Sequence, residues 1–247
     1  MPQDFDLRRL EELGLNSSAP PGQLLFDGWL IRLLPGQAKR ARSVNAVYPA
    51  RRALAEKLGY CEALYKRHQL PAIFRITPFS EPSGLDAELE RLGYPRFDTT
   101  AVEAMAIDPA QLVESAAKPM ELVAWVEEVG RLRGSNAVYR RSHLERLQSV
   151  LLPLRPMVVS HDGVVVAVGL TIVEDGWAGL FDVVTDSAFR RQGFGDQLVQ
   201  GLLKSAWAIG ARQSYLQVNA DNTPARTLYA RYGFQEQYQY WYRGHAD

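Results

Sequence analysis

The chain has 247 residues, a length that permits one large domain or two small ones. Its 28 basic residues balance 28 acidic ones; the resulting zero net charge argues against a dedicated DNA or RNA binder, and 47% hydrophobic content argues against disorder. The single cysteine, Cys61, excludes an internal disulfide, and histidines at 68, 143, 161 and 245 show no metal-ligand spacing.

The start, Met1 to Arg9, lacks the apolar core of a signal peptide, and no apolar run approaches the ~20 residues of a membrane span. A cytoplasmic protein without membrane contact is therefore expected. A short charged helix precedes a loop at 16–22 (Asn-Ser-Ser-Ala-Pro-Pro-Gly). Runs rich in β-branched and aromatic residues then predict strands at 24–34, 72–77, 99–107, 156–160, 164–173, 178–185, 214–219 and 237–242. Apolar spacing of three and four predicts helices at 50–68, 85–92, 122–132, 141–151, 195–209 and 224–232. Strands and helices mix throughout, so the class is α/β or α+β.

The order of elements repeats within the chain. Shifted by 140 residues, helix 55–69 falls on helix 195–209, strand 72–77 falls largely on 214–219, and Gly93-Tyr94 falls on Gly233-Phe234. The shared order suggests two related half-chains, divided as 1–98 and 99–247.

The segment Asp182-Val183-Val184-Thr185-Asp186-Ser187-Ala188-Phe189-Arg190-Arg191-Gln192-Gly193-Phe194-Gly195 ends a buried strand and opens a helix on two glycines. The first N–H groups of a helix lack partners and carry the positive end of its dipole, so this geometry can cradle a phosphate. A dinucleotide fingerprint would need a third glycine where Leu198 stands, and Phe194-Gly195-Asp196 does not supply a Walker lysine. A tight helix start without a ligand is the plain alternative.

A second segment, Asn222-Thr223-Pro224-Ala225-Arg226-Thr227-Leu228-Tyr229-Ala230-Arg231-Tyr232-Gly233-Phe234, follows one strand later. Together the two resemble the GCN5-related N-acetyltransferase (GNAT) family over residues 99–247. Arg190, Gly193 and Gly195 match its Arg/Gln-x-x-Gly-x-Gly/Ala motif. Asn222, Ala225, Leu228, Tyr229, Gly233 and Phe234 match its Asn-x-x-Ala-x-x-Leu-Tyr-x-x-x-Gly-Phe motif.

The resemblance implies a mixed, mostly antiparallel central sheet flanked by helices, and acetyl transfer from acetyl-CoA to a primary amine in a ternary complex. Val183, Val184 and Thr185 would line the pantetheine arm; Arg190, Arg191, Gln192, Gly193, Phe194, Gly195 and Asp196 would wrap the pyrophosphate. Asn222 would bond near the arm, and Tyr229 would protonate the leaving thiolate. Asp196 departs from the family's small or basic residue and would weaken phosphate binding.

Gln217 stands where some members carry a glutamate base and cannot replace it. Asp182, inside the apolar run Leu180 to Val184, is the candidate base, with an arginine ion pair as its competing use and His143 as a lower-ranked base. In the first half, Ala53, Ala55 and Leu89 stand at the positions of Gly193, Gly195 and Tyr229, so residues 1–98 read as a degenerate GNAT-like unit that walls the cleft. Lys39-Arg40-Ala41-Arg42 is either a solvated loop or a contact for an acidic substrate or the cofactor's 3′-phosphate. A non-catalytic acyl-CoA-binding regulatory module is the rival function. The acceptor, a small molecule or a protein amine, and the oligomeric state carry no readable signal.

Overall fold

The computed structural model describes residues 5–36 and 38–244. Its secondary structure begins with α1 (Leu7–Ser17), β1 (Gln23–Phe26), β2 (Trp29–Arg32), β3 (Val44–Ala46), α2 (Leu54–Arg67), β4 (Ile73–Ile76), α3 (Leu85–Arg91) and β5 (Arg96–Ala106). It continues through β6 (Lys118–Pro119), α4 (Leu122–Arg133), α5 (Ala137–Gln148), β7 (Leu154–His161), β8 (Val164–Glu174) and β9 (Trp177–Thr185). The last elements are α6 (Phe194–Ala208), β10 (Gln213–Asn219), α7 (Thr223–Ala230) and β11 (Gln235–Gly244).

Among the described residues eleven strands share one sheet in the order β1-β2-β3-β4-β11-β5-β10-β9-β8-β7-β6. Pairing is antiparallel except for β3 with β4 and β9 with β10, and each parallel pair is joined by a crossover helix, α2 or α6. The fold is thus the mixed α/β, mostly antiparallel sheet that the sequence predicts.

Local chemistry sets the element ends. Asp6 accepts from the N–H groups of Arg8 and Arg9 and so starts α1. Asn136 accepts from Tyr139 N–H at 3.0 Å, which starts α5 four residues before the predicted 141. The predicted strand 24–34 is a hairpin instead, turned by Asp27 and Gly28 at positive φ. Strands β3 and β6, of three and two residues, are too short to leave a pattern.

The 140-residue shift superposes more than the sequence predicts. It relates α2 to α6, β4 to β10, α3 to α7 and β5 to β11. Helices α3 and α7 both end on a positive-φ glycine, Gly93 and Gly233, with Tyr94 N–H bonding Leu89 O and Phe234 N–H bonding Tyr229 O. Strand pairing crosses this relation: β4 pairs with β11, β10 pairs with β5, and β5 and β11 lie side by side at the centre. The position between residues 98 and 99 falls inside β5.

Two apolar clusters cover opposite faces of the sheet around β5, β8, β9 and β10. On one face α6 buries Leu198, Val199, Leu202 and Leu203 against Leu180, Leu216 and Val218. On the other, α1, α4 and α5 bury Leu10, Leu13, Trp125, Val126, Val129 and Leu147 against Phe181, Tyr215 and Tyr240. A third cluster packs α2 and α3 on β2, β3 and β4 and contains Cys61, whose thiol burial pushes up to about 12 and leaves inert. Among the described residues no helix is long and apolar enough to cross a membrane.

Candidate active site

The site begins where two parallel strands part. β9 and β10 are in register from Trp177/Gln213 to Leu180/Leu216, and no pairing between them follows. Beyond that point β9 stays on β8 as far as Thr185, while β10 stays on β5 as far as Asn219. Asp182 and Val183 together face the single residue Gly169 of β8, a β-bulge, and Asp182 takes φ 52° to form it. The bulge re-aims the backbone of β9 at the parting. A cleft of about 330 Å³ lies at the parting, lined by residues 180–183 of β9 and 216–219 of β10.

The start of α6 borders the parting strands. Its N-cap, Gly193, has φ 84°, a conformation that favours glycine, and no side chain caps the helix. A Cβ on Gly195 would stand 3.2 Å from Thr185 Oγ1, so the helix start packs tightly on the end of β9. The uncapped turn therefore suits the phosphates of a coenzyme A. Arg190 Nε reaches Thr185 O, and Gln192 Nε2 donates to Ala188 O. Arg190, Arg191 and Gln192 are exposed, Val183 lines the cleft, and Val184 turns to the opposite face. Asp196, expected to weaken phosphate binding, is paired with Arg231 at 3.0 Å and accepts from Tyr232 Oη, so its charge is partly neutralised.

Helix α7 closes the same side. Asn222 accepts from Ala225 N–H at 3.3 Å and so caps α7 while lining the cleft. Tyr229 also lines the cleft, 7% exposed, with its ring edge-on to Phe234. Burial, aided by the Glu103 carboxylate, pushes its phenol up to about 12, so it keeps its proton at neutral pH.

On the opposite side of the cleft Asp182, expected as the base or as the partner of an arginine, is ion-paired. Arg133 Nη2 lies 2.9 Å and His143 Nε2 3.1 Å from its carboxylate, with Arg146 Nη2 at 3.9 Å. Burial alone would raise this carboxyl, but Arg133, His143 and Arg146 overcome it and hold the group far below the usual carboxylate range. A carboxylate held so firmly as an anion does not take up a proton near neutrality. The arginine pairing that competes with that role is what the structure contains.

The basic stretch Lys39 to Arg42, expected as a solvated loop or a substrate contact, leads into a wall of the cleft made by Leu34, Pro35, Gly36, Ala38, Arg40 and Ala41. Ser142 Oγ of α5 donates to Pro35 O, and Arg40 is half-buried with Nη1 donating to Gln217 Oε1 at 2.6 Å and Tyr240 Oη at 2.9 Å. Arg133, Arg140 and Arg146 line the cleft as well and give no signal in the sequence. Helical spacing alone does not separate them from the solvated charges around them.

At the start of α2, where the 140-residue shift would put a second cradle, Asp27 accepts from the N–H groups of Arg51 and Arg52. These contacts lower its carboxyl's pKa, and buried Lys57 stands 3.5 Å away. The chain's own carboxylate thus takes the N–H groups just ahead of α2. Asp27→Ala is expected to lower the melting temperature without adding a coenzyme A site; two sites by calorimetry would contradict this account.

Residues 121–234 match the model of the Acetyltransferase (GNAT) family. Over 249 residues the chain is 27% identical to the uncharacterized N-acetyltransferase YobR of Bacillus subtilis (strain 168), covering 96% of this chain and 98% of that one. In fold it is similar to a GCN5-related N-acetyltransferase from Kribbella flavida (TM-score 0.66, 16% identity, 98% of this chain and 95% of that one). A tandem GNAT protein from the clavulanic acid biosynthesis pathway is similar over 83% of this chain and 76% of its own (TM-score 0.60, 16% identity).

Proposed function

Because residues 121–234 form an acetyltransferase domain of the GNAT family, we propose that the protein transfers an acetyl group from acetyl-CoA to a primary amine, in the cytoplasm. The observation that carries this reading is the parting of β9 and β10 beside an uncapped glycine helix start, with the Tyr229 phenol in the same cleft. Acetyl-CoA supplies the activated thioester. Residues Arg190 to Asp196 bind its phosphates through backbone N–H groups, Val183 and Asn222 border its arm, and the bulged backbone at Asp182 and Val183 orients the acetyl carbonyl.

The amine must attack as a free base. For an ordinary alkylamine at pH 7 that costs about 3 pH units, or ~4 kcal/mol. We assign proton acceptance to His143, directly or through water, with Asp182 as the positioning residue that fixes its ring. The amine nitrogen bonds the acetyl carbon, the carbon–sulfur bond breaks, the amine proton passes to His143, and Tyr229 Oη donates to the departing sulfur. Direct transfer is favoured because Cys61 lies in the α2–α3 core, away from the cleft. Residues 1–98 act in this reading as a GNAT-like unit without a cofactor site that walls the cleft.

Calorimetric titration tests the cradle. One coenzyme A per chain is expected, with Gly195→Val weakening it at least tenfold, about 1.4 kcal/mol. Unchanged affinity in that variant would remove the cradle. Replacing His143 by Gln is expected to lower turnover by about 10²-fold or more with coenzyme A affinity unchanged; undiminished turnover would assign the base elsewhere. Cofactor binding without thiol release for any amine would favour the regulatory acyl-CoA-binding module, to which the ion-paired Asp182 lends support.

A further inference from the structure

The cleft is chemically two-sided. Tyr229, Asn222 and Ala225 face it from the α6–α7 side, where the cofactor motifs lie; Arg40, Arg133, Arg140, Arg146 and His143 face it from the α1–α4–α5 side. Asp182 is the one carboxylate among the described lining residues. Glu127 pairs with Arg140 at 2.7 Å from outside. That leaves Arg40, Arg133 and Arg146 in the cleft with the single Asp182 charge, paired to Arg133 and Arg146, a local surplus of cations in a partly desolvated space.

Two neighbouring groups register this surplus. Burial lowers the Arg146 pKa, and repulsion from Arg40 and Arg133 lowers it further against the pull of Asp182. Burial raises the Tyr240 phenol, yet Arg40 and Arg75 outweigh it and hold the group below its usual value. Among the described residues Arg40 has no carboxylate partner, and its Nε is buried without a hydrogen bond. A cleft-lining guanidinium without a carboxylate partner, beside excess positive charge, is a group that an incoming anion can pair with.

We propose that the acceptor is a small amine bearing a carboxylate, an amino-acid-type substrate, and that Arg40, with Arg146, is the residue pair that binds the carboxylate. This inference rests on the acetyltransferase reading and names its substrate class. The same cations serve the chemistry: like charge disfavours the ammonium form, so the field that holds the carboxylate also helps free the amine for attack. Polyamines and polycationic amines meet repulsion from the same groups. Arg40 is the contribution of the N-terminal segment to specificity, on the sheet face opposite the phosphate cradle.

The test uses the full chain, acetyl-CoA and matched amines, following thiol release. Each set comprises an amino acid, its carboxamide and its decarboxylated amine; spermidine and phosphoethanolamine complete the panel. The carboxylate member is expected to exceed its carboxamide at least tenfold in kcat/KM, and spermidine to be the poorest. Arg40→Met is expected to erase most of that ratio through KM, Arg40→Lys to restore part of it, and coenzyme A affinity to hold in both. A wild-type ratio near one, or preference for spermidine or phosphoethanolamine, overturns the proposal without reference to any variant. If no amine is acetylated, titration of N-acetylated amino acids into the coenzyme A complex decides, and absence of saturable binding overturns it. A protein that fails to bind acetyl-CoA loses the transferase reading itself, and calorimetry separates that failure from the others.

Discussion

Replacing Tyr229 by phenylalanine is expected to lower acetyl-transfer turnover by about 10²–10³-fold while leaving coenzyme A affinity nearly unchanged. The ring stays packed on Phe234, so only the hydroxyl is lost. The size of the effect follows from the acidity of that hydroxyl. Raised to about 12, it is a weaker acid than an ordinary thiol of pKa near 8.5, so complete proton transfer to a free thiolate runs uphill. Its role is then a hydrogen bond that strengthens as charge builds on sulfur, and loss of one such donor costs about 10²–10³ in rate. Steady-state and single-turnover kinetics on an acetylated amine, with parallel cofactor titrations, check the expectation. Equal turnover in the two proteins would leave Tyr229 a packing residue.

Legibility in the chain depends on distance along it. The turn from β9 into α6 is local, and its glycines, arginines and following helix mark the proposed cradle in the sequence alone. The motif Asn222 to Phe234 likewise carries its own cap and closing glycine. The opposite side of the cleft is assembled otherwise. Arg40 meets Gln217 and Tyr240, residues 177 and 200 positions away, and Asp182 meets Arg133, His143 and Arg146 from two earlier helices. No spacing rule links such groups; only the packing of α4, α5 and the chain around Arg40 brings them together. The exchange of β5 and β11 across the sheet is hidden for the same reason, because register between distant strands is set by the shared core.

The ion cage around Asp182 yields the other large effect. Asp182→Asn keeps the shape of the side chain but leaves Arg133 and Arg146 facing each other without the charge that neutralised them. Breaking a buried ion pair from one side costs about 3–5 kcal/mol, so a loss of about 3 kcal/mol is expected at pH 7, the amide retaining some hydrogen bonding. The pH dependence has a fixed sign. The folded-state carboxyl lies well below its unfolded value of about 3.9, so its contribution is complete above pH ~5 and declines as pH falls through the unfolded value. Below that, the wild-type advantage should shrink by about 1.4 kcal/mol per pH unit, because the unfolded chain gains a proton that the cage refuses. Denaturant midpoints of both proteins at pH 7 and pH 3 measure the difference directly. An asparagine variant as stable as the wild type at pH 7 would dissolve the cage account. If that equally stable variant also lost all turnover, Asp182 would return to the role of base that its sequence position first suggested.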